Sequence, residues 1–203
     1  MSGWIKICGM TDEAAVEAAL AAGVDAIGFV FAPSVRQVTP QRAAELAAPA
    51  RHRVQCIAVA RHPDQMLVDE VIRVFRPDAL QTDIADFDRL KLPDTLPRLP
   101  VLRSGAEHSF CGALPARVLF EGPHSGTGQL SDWQEAARMA QATRLTLAGG
   151  LNPANVAAAI RAVRPFGVDT SSGVEAEPGV KSTSKIAEFT AAARAAFSEA
   201  GIV

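Results

Sequence analysis

Residues 145–173 read LTLAGGLNPANVAAAIRAVRPFGVDTSSG, and this stretch contains the repeating unit of the chain. Leu145–Ala148 and Gly167–Asp169 are short runs typical of buried strands, and the Ala-rich run between them is typical of a helix. Asn152 before Pro153 marks a helix start, because the Asn side chain can cap the first turn and proline needs no N–H there. The stretch therefore predicts two parallel strands joined by a crossover helix.

The same alternation continues along all 203 residues. Six further strands are predicted at Trp4–Cys8, Ala26–Phe31, Val54–Ala60, Ala79–Gln81, Pro100–Leu102 and Arg117–Glu121. Helices are predicted to begin near Asp12, Pro40, Asp64, Asp86, Gly105, Asp132, Pro153 and Thr183. Eight units of about 25 residues predict a single-domain (β/α)8 TIM barrel of near minimal size over residues 1–203. An open, doubly wound sheet is the alternative, and units four and five are the least regular because Leu92–Leu99 contains two prolines.

Composition and charge exclude several classes of protein. Hydrophobic residues make up 48% of the chain and charged residues 21%, so the chain can bury a core. The net charge of −2 gives no general support for binding nucleic acid or an anionic membrane. No apolar run approaches the roughly 20 residues of a membrane helix. The three cysteines are far apart and the four histidines have no ligand spacing, which predicts a cytoplasmic protein without a metal site.

A barrel places functional residues in the loops that follow its strands. Gly149 and Gly150 follow the seventh strand, and Ser172 and Gly173 follow the eighth. Glycines let backbone N–H groups approach an anion closely, and hydroxyl groups add donors. In barrels, the loops after strands seven and eight commonly bind phosphate, so these four residues are the candidate phosphate site.

The first strand carries a candidate base. Strand alternation puts Trp4, Lys6 and Cys8 on one face, so that Lys6 points into the barrel below Cys8. A buried lysine needs an acidic partner, for which Asp169 and Glu121 are the candidates. A cation near the thiol favours the thiolate, which can act as a base. The other two cysteines, Cys56 and Cys111, are interpreted as small buried hydrophobic residues.

Two further loops carry candidate site residues. Arg36 follows the second strand, where its guanidinium group could bind a carboxylate through two hydrogen bonds. Glu121 ends the sixth strand just before a Gly-rich loop, a suitable position for a general acid. His124 in that loop is a rival for the same role.

Together these segments resemble the phosphoribosylanthranilate isomerase family of tryptophan biosynthesis. The resemblance extends nearly from end to end and is carried by KICGMT at Lys6–Thr11, GFVFAPSVRQV at Gly28–Val38, SGTGQLSDW at Ser125–Trp133, LAGGLNPANV at Leu147–Val156 and VDTSSGVEAEPGVKS at Val168–Ser182. It implies a cofactor-independent Amadori rearrangement of N-(5-phosphoribosyl)anthranilate to the open-chain 1-deoxyribulose isomer.

The resemblance also implies roles for single residues. Cys8 matches the base that removes the C2 proton, and Arg36 matches the arginine that holds the anthranilate carboxylate. Gly149, Gly150, Ser172 and Gly173 match the phosphate site, while Gln81 and Asp169 match residues near the substrate.

Two positions depart from the family pattern. Glu121 stands where the family usually has Asp as general acid. The common Val-Gln-Leu-His-Gly of strand four reads Leu80-Gln81-Thr82-Asp83-Ile84, so the His-Gly pair is absent.

The alternatives are another phosphosugar barrel enzyme, such as a ribulose-phosphate epimerase or an indole-glycerol-phosphate synthase, and a phosphosugar-binding barrel without catalysis. The epimerase lacks support because the metal-binding His and Asp residues that it needs are absent, and the synthase because no lysine pair flanks strand-end carboxylates. The expected partner is a small phosphoribosyl substrate, and the expected assembly is a monomer or homodimer.

Overall fold

The computed structural model describes residues 3–105, 114–122 and 131–202. Eight parallel strands in these ranges form a closed barrel, in which each strand pairs with the next and β8 pairs with β1. The strands are β1 (Trp4–Cys8), β2 (Ala26–Val30), β3 (Gln55–Val59), β4 (Ala79–Asp83), β5 (Arg98–Arg103), β6 (Arg117–Glu121), β7 (Arg144–Leu147) and β8 (Gly167–Thr170). All eight predicted strands are present, and the closed order confirms the barrel over the open sheet.

Helices cover the outside of the barrel at six of the predicted positions. They are α1 (Glu13–Ala22), α2 (Pro40–Ala47), α3 (Gln65–Val74), α4 (Trp133–Ala140), α5 (Val156–Val163) and α6 (Thr183–Glu199). Side chains cap most of their N-termini: Asp12 accepts from the N–H of Ala15, and Thr39 before Pro40 accepts from the N–H of Arg42.

The helix predicted near Asp86 is wrong. A short 3-10 turn, Ile84–Asp88, takes its place between β4 and β5. The carboxylate of Asp86 is buried and accepts hydrogen bonds from Thr82 and His62, which holds the chain in a turn. The two prolines in the following segment also prevent a regular helix. The helix predicted near Gly105 falls on residues 106–113, which lie outside the described ranges.

The start of α5 differs by three residues from the prediction, although Asn152 acts as expected. Its side-chain Oδ1 accepts from the N–H groups of Ala154 and Asn155, at 2.9 Å and 3.2 Å. The N–H of Val156 then donates to the carbonyl oxygen of Asn152. Asn152 thus caps a first turn that continues into the helix.

The core has two layers. Large side chains between the sheet and the helices form the outer layer, including Phe29, Phe75, Phe120, Phe189 and Phe197. Inside the barrel, Trp4 is the one large side chain of the second cluster, and the others are small or medium: Ala26, Ile57, Ala79, Leu99, Val101, Leu119 and Ala148. Trp4 stacks on Phe166 and on the guanidinium group of Arg117, which fills the N-terminal end of the barrel.

After β8 the chain forms a 3-10 turn, Ser172–Val174, and a small hairpin of β9 (Glu175–Glu177) and β10 (Val180–Lys181). This hairpin lies between the last strand and α6, next to the C-terminal end of the barrel. Among the helices that the structure describes, none has both the length and the apolar character needed to cross a bilayer.

Candidate active site

A cavity of about 270 Å³ opens at the C-terminal ends of the barrel strands. Each of the eight strands, or the loop after it, contributes to the wall. Eight of the residues selected from the sequence line this cavity: Cys8, Arg36, Gln81, Glu121, Gly149, Gly150, Asp169 and Ser172. The structure therefore brings together residues from the beginning, middle and end of the chain.

Lys6 lies beneath Cys8 inside the barrel and is fully buried. Its Nζ is 2.9 Å from Oδ1 of Asp169, the residue opposite Lys6 in the pairing of β1 with β8. Of the two partners expected for Lys6, the structure shows Asp169. Burial alone would lower the pKa of Lys6, but the nearby carboxylate of Asp169 outweighs burial and raises it, so the ammonium group stays charged.

Cys8 is a buried thiol on the cavity wall. Burial raises the pKa of Cys8 above its ordinary value, and the positive charges of Lys6 and Lys181 oppose this only in part. The neighbouring lysine thus lowers the pKa of the thiol, as expected, but the loss of hydration outweighs the attraction of the cation in the free protein.

Gly28 of β2 makes room for this pair of side chains. A Cβ atom at Gly28 would lie 3.0 Å from Sγ of Cys8 and 3.1 Å from Nζ of Lys6. Any larger residue would have to push the thiol or the ammonium group aside. The sequence alone does not reveal this requirement, which depends on the register of β1 and β2.

Glu121 is joined to Asp83 through Arg103, and we call this set the Arg103 bridge (Asp83, Arg103 and Glu121). Oε1 of Glu121 is 3.0 Å from Nη2 of Arg103, and Nη1 of Arg103 donates to Oδ1 of Asp83. The three side chains are only 14% to 17% exposed. One guanidinium group from β5 thus binds carboxylates at the ends of both neighbouring strands, β4 and β6.

His62 continues this network toward the solvent. Its Nε2 is 3.2 Å from Asp83 and its Nδ1 is 3.1 Å from Asp86. Burial alone would raise the pKa of Asp86, but hydrogen bonds from Thr82, Arg89 and His62 lower it to about 2.

The possible ligand atoms of His62, Asp83 and Asp86 lie within 4.8 Å of one another. However, Arg103 already pairs with Asp83, and Arg89 pairs with Asp86 at 2.6 Å. The negative charge that would attract a cation is thereby compensated, so we assign no metal to this cluster.

Arg36 is on the cavity wall, but its guanidinium group is already engaged. Its Nε and Nη2 lie 2.6 Å and 2.8 Å from the two carboxylate oxygens of Glu175. Lys181 is also 2.8 Å from Glu175. Burial alone would raise the pKa of Glu175, but these two partners lower it to about 2. Of the Arg36 nitrogens that could bind a substrate carboxylate, only Nη1 makes no hydrogen bond to the described residues.

Two polar groups of the wall have no partner within the described part of the chain. Arg61, which follows β3, is exposed and makes neither a hydrogen bond nor an ion pair there. Gln81 is buried, and its Oε1 accepts no hydrogen bond. Arg61 was missed in the sequence, although it lies in a loop that follows a strand, as Arg36 does.

The loops after β7 and β8 form one side of the cavity. Gly149 and Gly150 have φ angles of 89° and 67°, which favour glycine, and their N–H groups donate no hydrogen bond within the described residues. Asn155 donates to the carbonyl oxygen of Gly150 and fixes this loop. Ser172 lines the cavity, whereas Gly173 lies behind it against Leu151.

Several sequence-based interpretations lie outside the described residues. They include the role of His124 and the buried position of Cys111. Cys56 is free and fully buried in the outer core, as expected for a small hydrophobic residue.

A family model for N-(5'-phosphoribosyl)anthranilate (PRA) isomerase matches residues 5–192 of the chain. The chain belongs to this family. Two PRA isomerases illustrate the similarity: that of Roseiflexus sp. (strain RS-1) is 39% identical over 95% of this chain and 98% of its own length, and that of Nitrobacter hamburgensis is 37% identical over 97% and 95%.

Solved PRA isomerase structures have the same fold. That of Thermotoga maritima matches with a TM-score of 0.80 and 27% identity, covering 95% of this chain and 99% of its own. A structure in complex with reduced 1-(o-carboxyphenylamino)-1-deoxyribulose 5-phosphate matches with a TM-score of 0.76 and 26% identity, with the same coverage.

Membership of the PRA isomerase family establishes the reaction, which is the isomerisation of N-(5'-phosphoribosyl)anthranilate in tryptophan biosynthesis. The epimerase, the synthase and the binding protein without catalysis are set aside. The Arg103 bridge contains both departures from the family pattern, Asp83 and Glu121.

Proposed function

We propose that Cys8 is the general base and Glu121 the general acid of PRA isomerisation in this enzyme. The observation that carries the proposal is their position: Cys8 ends β1, Glu121 ends β6, and both line the same cavity. An acid and a base on different strands can act on one substrate from two sides. Each is expected to contribute about 10²- to 10⁴-fold to the rate.

The rearrangement needs only proton transfers. Glu121 donates a proton to the ring oxygen, the bond from that oxygen to C1 breaks, and C1 becomes the carbon of an iminium ion. Cys8 then removes the C2 proton, and the electrons of the C2–H bond form a C1–C2 double bond while the nitrogen becomes neutral. Return of a proton to C1 and loss of the proton from the C2 hydroxyl give the ketone. Atoms and electrons balance without a cofactor.

The raised pKa of Cys8 fits this sequence of steps. A buried thiol stays protonated in the free enzyme, which protects it from unwanted reactions. The iminium ion brings a new positive charge close to the sulfur once the ring has opened. That charge, added to Lys6, favours the thiolate at the moment when a base is required.

We propose that the substrate phosphate binds to the loops after β7 and β8. Gly149 and Gly150 line this side of the cavity and their N–H groups donate no hydrogen bond within the described residues, with the Ser172 hydroxyl as a further donor. Gly173 supports the site by allowing the two loops to pack closely. Backbone donors suit a phosphate because they are fixed in place before it binds.

For the anthranilate carboxylate we propose Arg36 together with Arg61. Arg36 offers Nη1, while its other donors hold Glu175, and Arg61 offers its whole guanidinium group. Gln81 lies between this side and Glu121, and its free Oε1 can accept a hydrogen bond from a substrate hydroxyl. Lys6 and Asp169 form the charged base of the cavity beneath Cys8.

We also propose that residues 1–203 act as one domain, which the pairing of β1 with β8 supports, since it joins the first strand of the barrel to the last. A monomer or homodimer is proposed, because a solved relative at 26% identity is described as monomers of the dimeric T. maritima enzyme. The cytoplasm is the proposed compartment, since its reducing conditions keep Cys8 a free thiol.

Two variants test the roles of the acid and the base. Cys8→Ala and Glu121→Gln should each lower kcat about 100-fold or more, because each removes a proton-transfer group. Binding of the reduced product analogue should change little. Turnover is followed by the loss of anthranilate-type fluorescence from freshly prepared substrate. Cys56→Ala is the matched control and should retain normal kcat, because Cys56 does not reach the cavity.

The result that would overturn the base assignment is a Cys8→Ala enzyme within about tenfold of wild-type kcat. For the acid, the comparison is with His124→Ala. If that variant is inactive while Glu121→Gln turns over normally, the acid is His124. Glu121→Asp should also be impaired, because its carboxyl group falls about 1 Å short of the same point.

A further inference from the structure

The Arg103 bridge presents a chemical difficulty for the proposed acid. A general acid must carry a proton when the substrate binds, yet Oε1 of Glu121 is 3.0 Å from a guanidinium group. A nearby cation favours the charged carboxylate, which has no proton to give. The second carboxylate, Asp83, changes this balance because it binds the same guanidinium group.

Charge counting shows the effect of Asp83. With both carboxylates ionised, Asp83, Arg103 and Glu121 carry a net charge of −1. A proton on Glu121 makes the set neutral, with Arg103 paired to Asp83. The three side chains are largely buried, at 14% to 17% exposure, so neutrality is favoured more strongly than it would be in water.

The geometry adds a second effect. Arg103 lies on β5, opposite Glu121 in the pairing of β5 with β6. The contact of Arg103 with Oε1 holds the Glu121 side chain toward β5. The carboxyl group of this glutamate, whose side chain is one methylene longer than that of aspartate, therefore has a defined direction. Asp83 in turn holds Arg103 from the other side. A lone glutamate at a strand end would sample several rotamers.

We propose that Asp83 and Arg103 are positioning residues for Glu121: Arg103 directs its carboxyl group, and Asp83 compensates the charge of Arg103 so that Glu121 can carry the proton for ring opening. This inference rests on the proposed role of Glu121. The two departures from the family pattern then act together, since Asp83 and Glu121 bind the same arginine.

Other charged groups of the described chain surround the bridge. His62 contacts Asp83 from the loop after β3, and Asp86 of the 3-10 turn pairs with both His62 and Arg89. On the cavity side of the bridge, the charged residues that share the wall with Glu121 are Arg36, Arg61 and Asp169, with the thiol of Cys8.

The test is the pH dependence of kcat/KM in two variants that change the charge in opposite senses. Asp83→Asn leaves Arg103 uncompensated, so Glu121 loses its proton more readily and the high-pH limb moves to lower pH. Arg103→Gln removes the cation, so the limb moves to higher pH. We expect shifts of about one pH unit, a tenfold change in the protonated fraction at a given pH.

Arg103→Lys keeps the positive charge, so the high-pH limb of its kcat/KM profile should lie much closer to the wild-type position than that of Arg103→Gln. Its kcat should stay reduced, because lysine fixes the direction of the Glu121 carboxyl group less well than arginine does. Arg89→Gln is the matched control. It removes an arginine of the same network that pairs with Asp86 and not with Asp83 or Glu121, and it should leave the profile unchanged.

Thermal unfolding and binding of the reduced product analogue show that each variant is folded. Opposite shifts in Asp83→Asn and Arg103→Gln support the proposal. Shifts in the same direction, or a lower kcat with an unmoved profile, overturn it. If Glu121→Gln itself turns over normally, the acid assignment fails instead, so the two failures are distinguishable.

Discussion

Arg36 and Arg61 are two arginines at the same edge of the cavity, and their guanidinium groups are in different states. Glu175 binds two nitrogens of Arg36 and is itself held by Lys181. Displacing Glu175 would leave a buried carboxylate with a single cation, which is costly. In the proposed binding mode, the substrate carboxylate therefore meets one nitrogen of Arg36 and the side chain of Arg61.

We predict that Arg61→Ala raises KM for the substrate about tenfold and changes kcat little, because Arg61 binds the carboxylate equally before and during reaction. Steady-state kinetics gives both constants. The phosphoribosyl adduct of aniline, which lacks the carboxylate, serves as the control substrate. Its KM should be the same in wild type and in Arg61→Ala. An equal effect of the variant on both substrates would show that Arg61 does not contact the carboxylate.

At the scale of elements, the loops after β7 and β8 touch at a point where only glycine fits. A Cβ atom at Gly173 would lie 1.9 Å from the carbonyl oxygen of Leu151. The same carbonyl accepts a hydrogen bond from Thr170 at 2.6 Å, which ties the two loops together. The distance between the loops is thus set by the backbone.

Gly173→Ala should therefore separate the loops and weaken phosphate binding. We expect the Kd of inorganic phosphate, measured by titration calorimetry, to rise about tenfold, and Tm to fall by several degrees. Ser172→Ala is the comparison, because it removes one donor without a steric clash and should weaken binding less. Unchanged phosphate affinity in Gly173→Ala would place the phosphate elsewhere.

The elements themselves were largely predictable. Short apolar runs marked all eight strands, and a capping residue before a proline marked two helix starts, at Thr39 and Asn152. The 3-10 turn after β4 was not predictable, because it depends on the hydrogen bonds that Asp86 accepts from His62 and Thr82. Such contacts leave no periodic pattern in the sequence.

The site was predictable where it depended on strand position and not where it depended on contacts between distant residues. Alternation along β1 placed Lys6 inside the barrel, and its need for an acidic partner left two candidates, Asp169 and Glu121. The pairing of Arg36 with Glu175 joins residues 139 positions apart, and the role of Arg103 requires the register of three strands. The ionisation of Cys8 depends on its depth of burial, which composition and spacing do not reveal.

At the scale of the whole molecule, Glu175 connects regions that are far apart in the chain. It lies at the start of β9, binds Arg36 from the loop after β2 and Lys181 from β10, and its backbone carbonyl accepts from Lys185 of α6. These contacts hold the C-terminal hairpin and helix against the first quarter of the barrel.

Because the pKa of Glu175 is lowered from 4.5 to about 2, its contacts stabilise the fold fully above pH 4.5 and are lost as the pH falls toward 2. This shift corresponds to about 3 kcal/mol of unfolding free energy. We predict that Glu175→Gln is less stable than wild type by about this amount at pH 7, and that the difference shrinks steadily between pH 4.5 and pH 2.5. Urea unfolding across this range measures the difference in unfolding free energy.

Two other carboxylates separate the effect of Glu175 from general acid sensitivity. Asp86 also has a pKa lowered to about 2, and it makes the same contribution in wild type and in Glu175→Gln. Glu13 makes the same kind of two-point contact with Arg42 but is exposed, so Glu13→Gln should leave stability unchanged at every pH because water screens that pair. A Glu175→Gln difference that does not depend on pH would mean that the side chain contributes by packing and not by its charge.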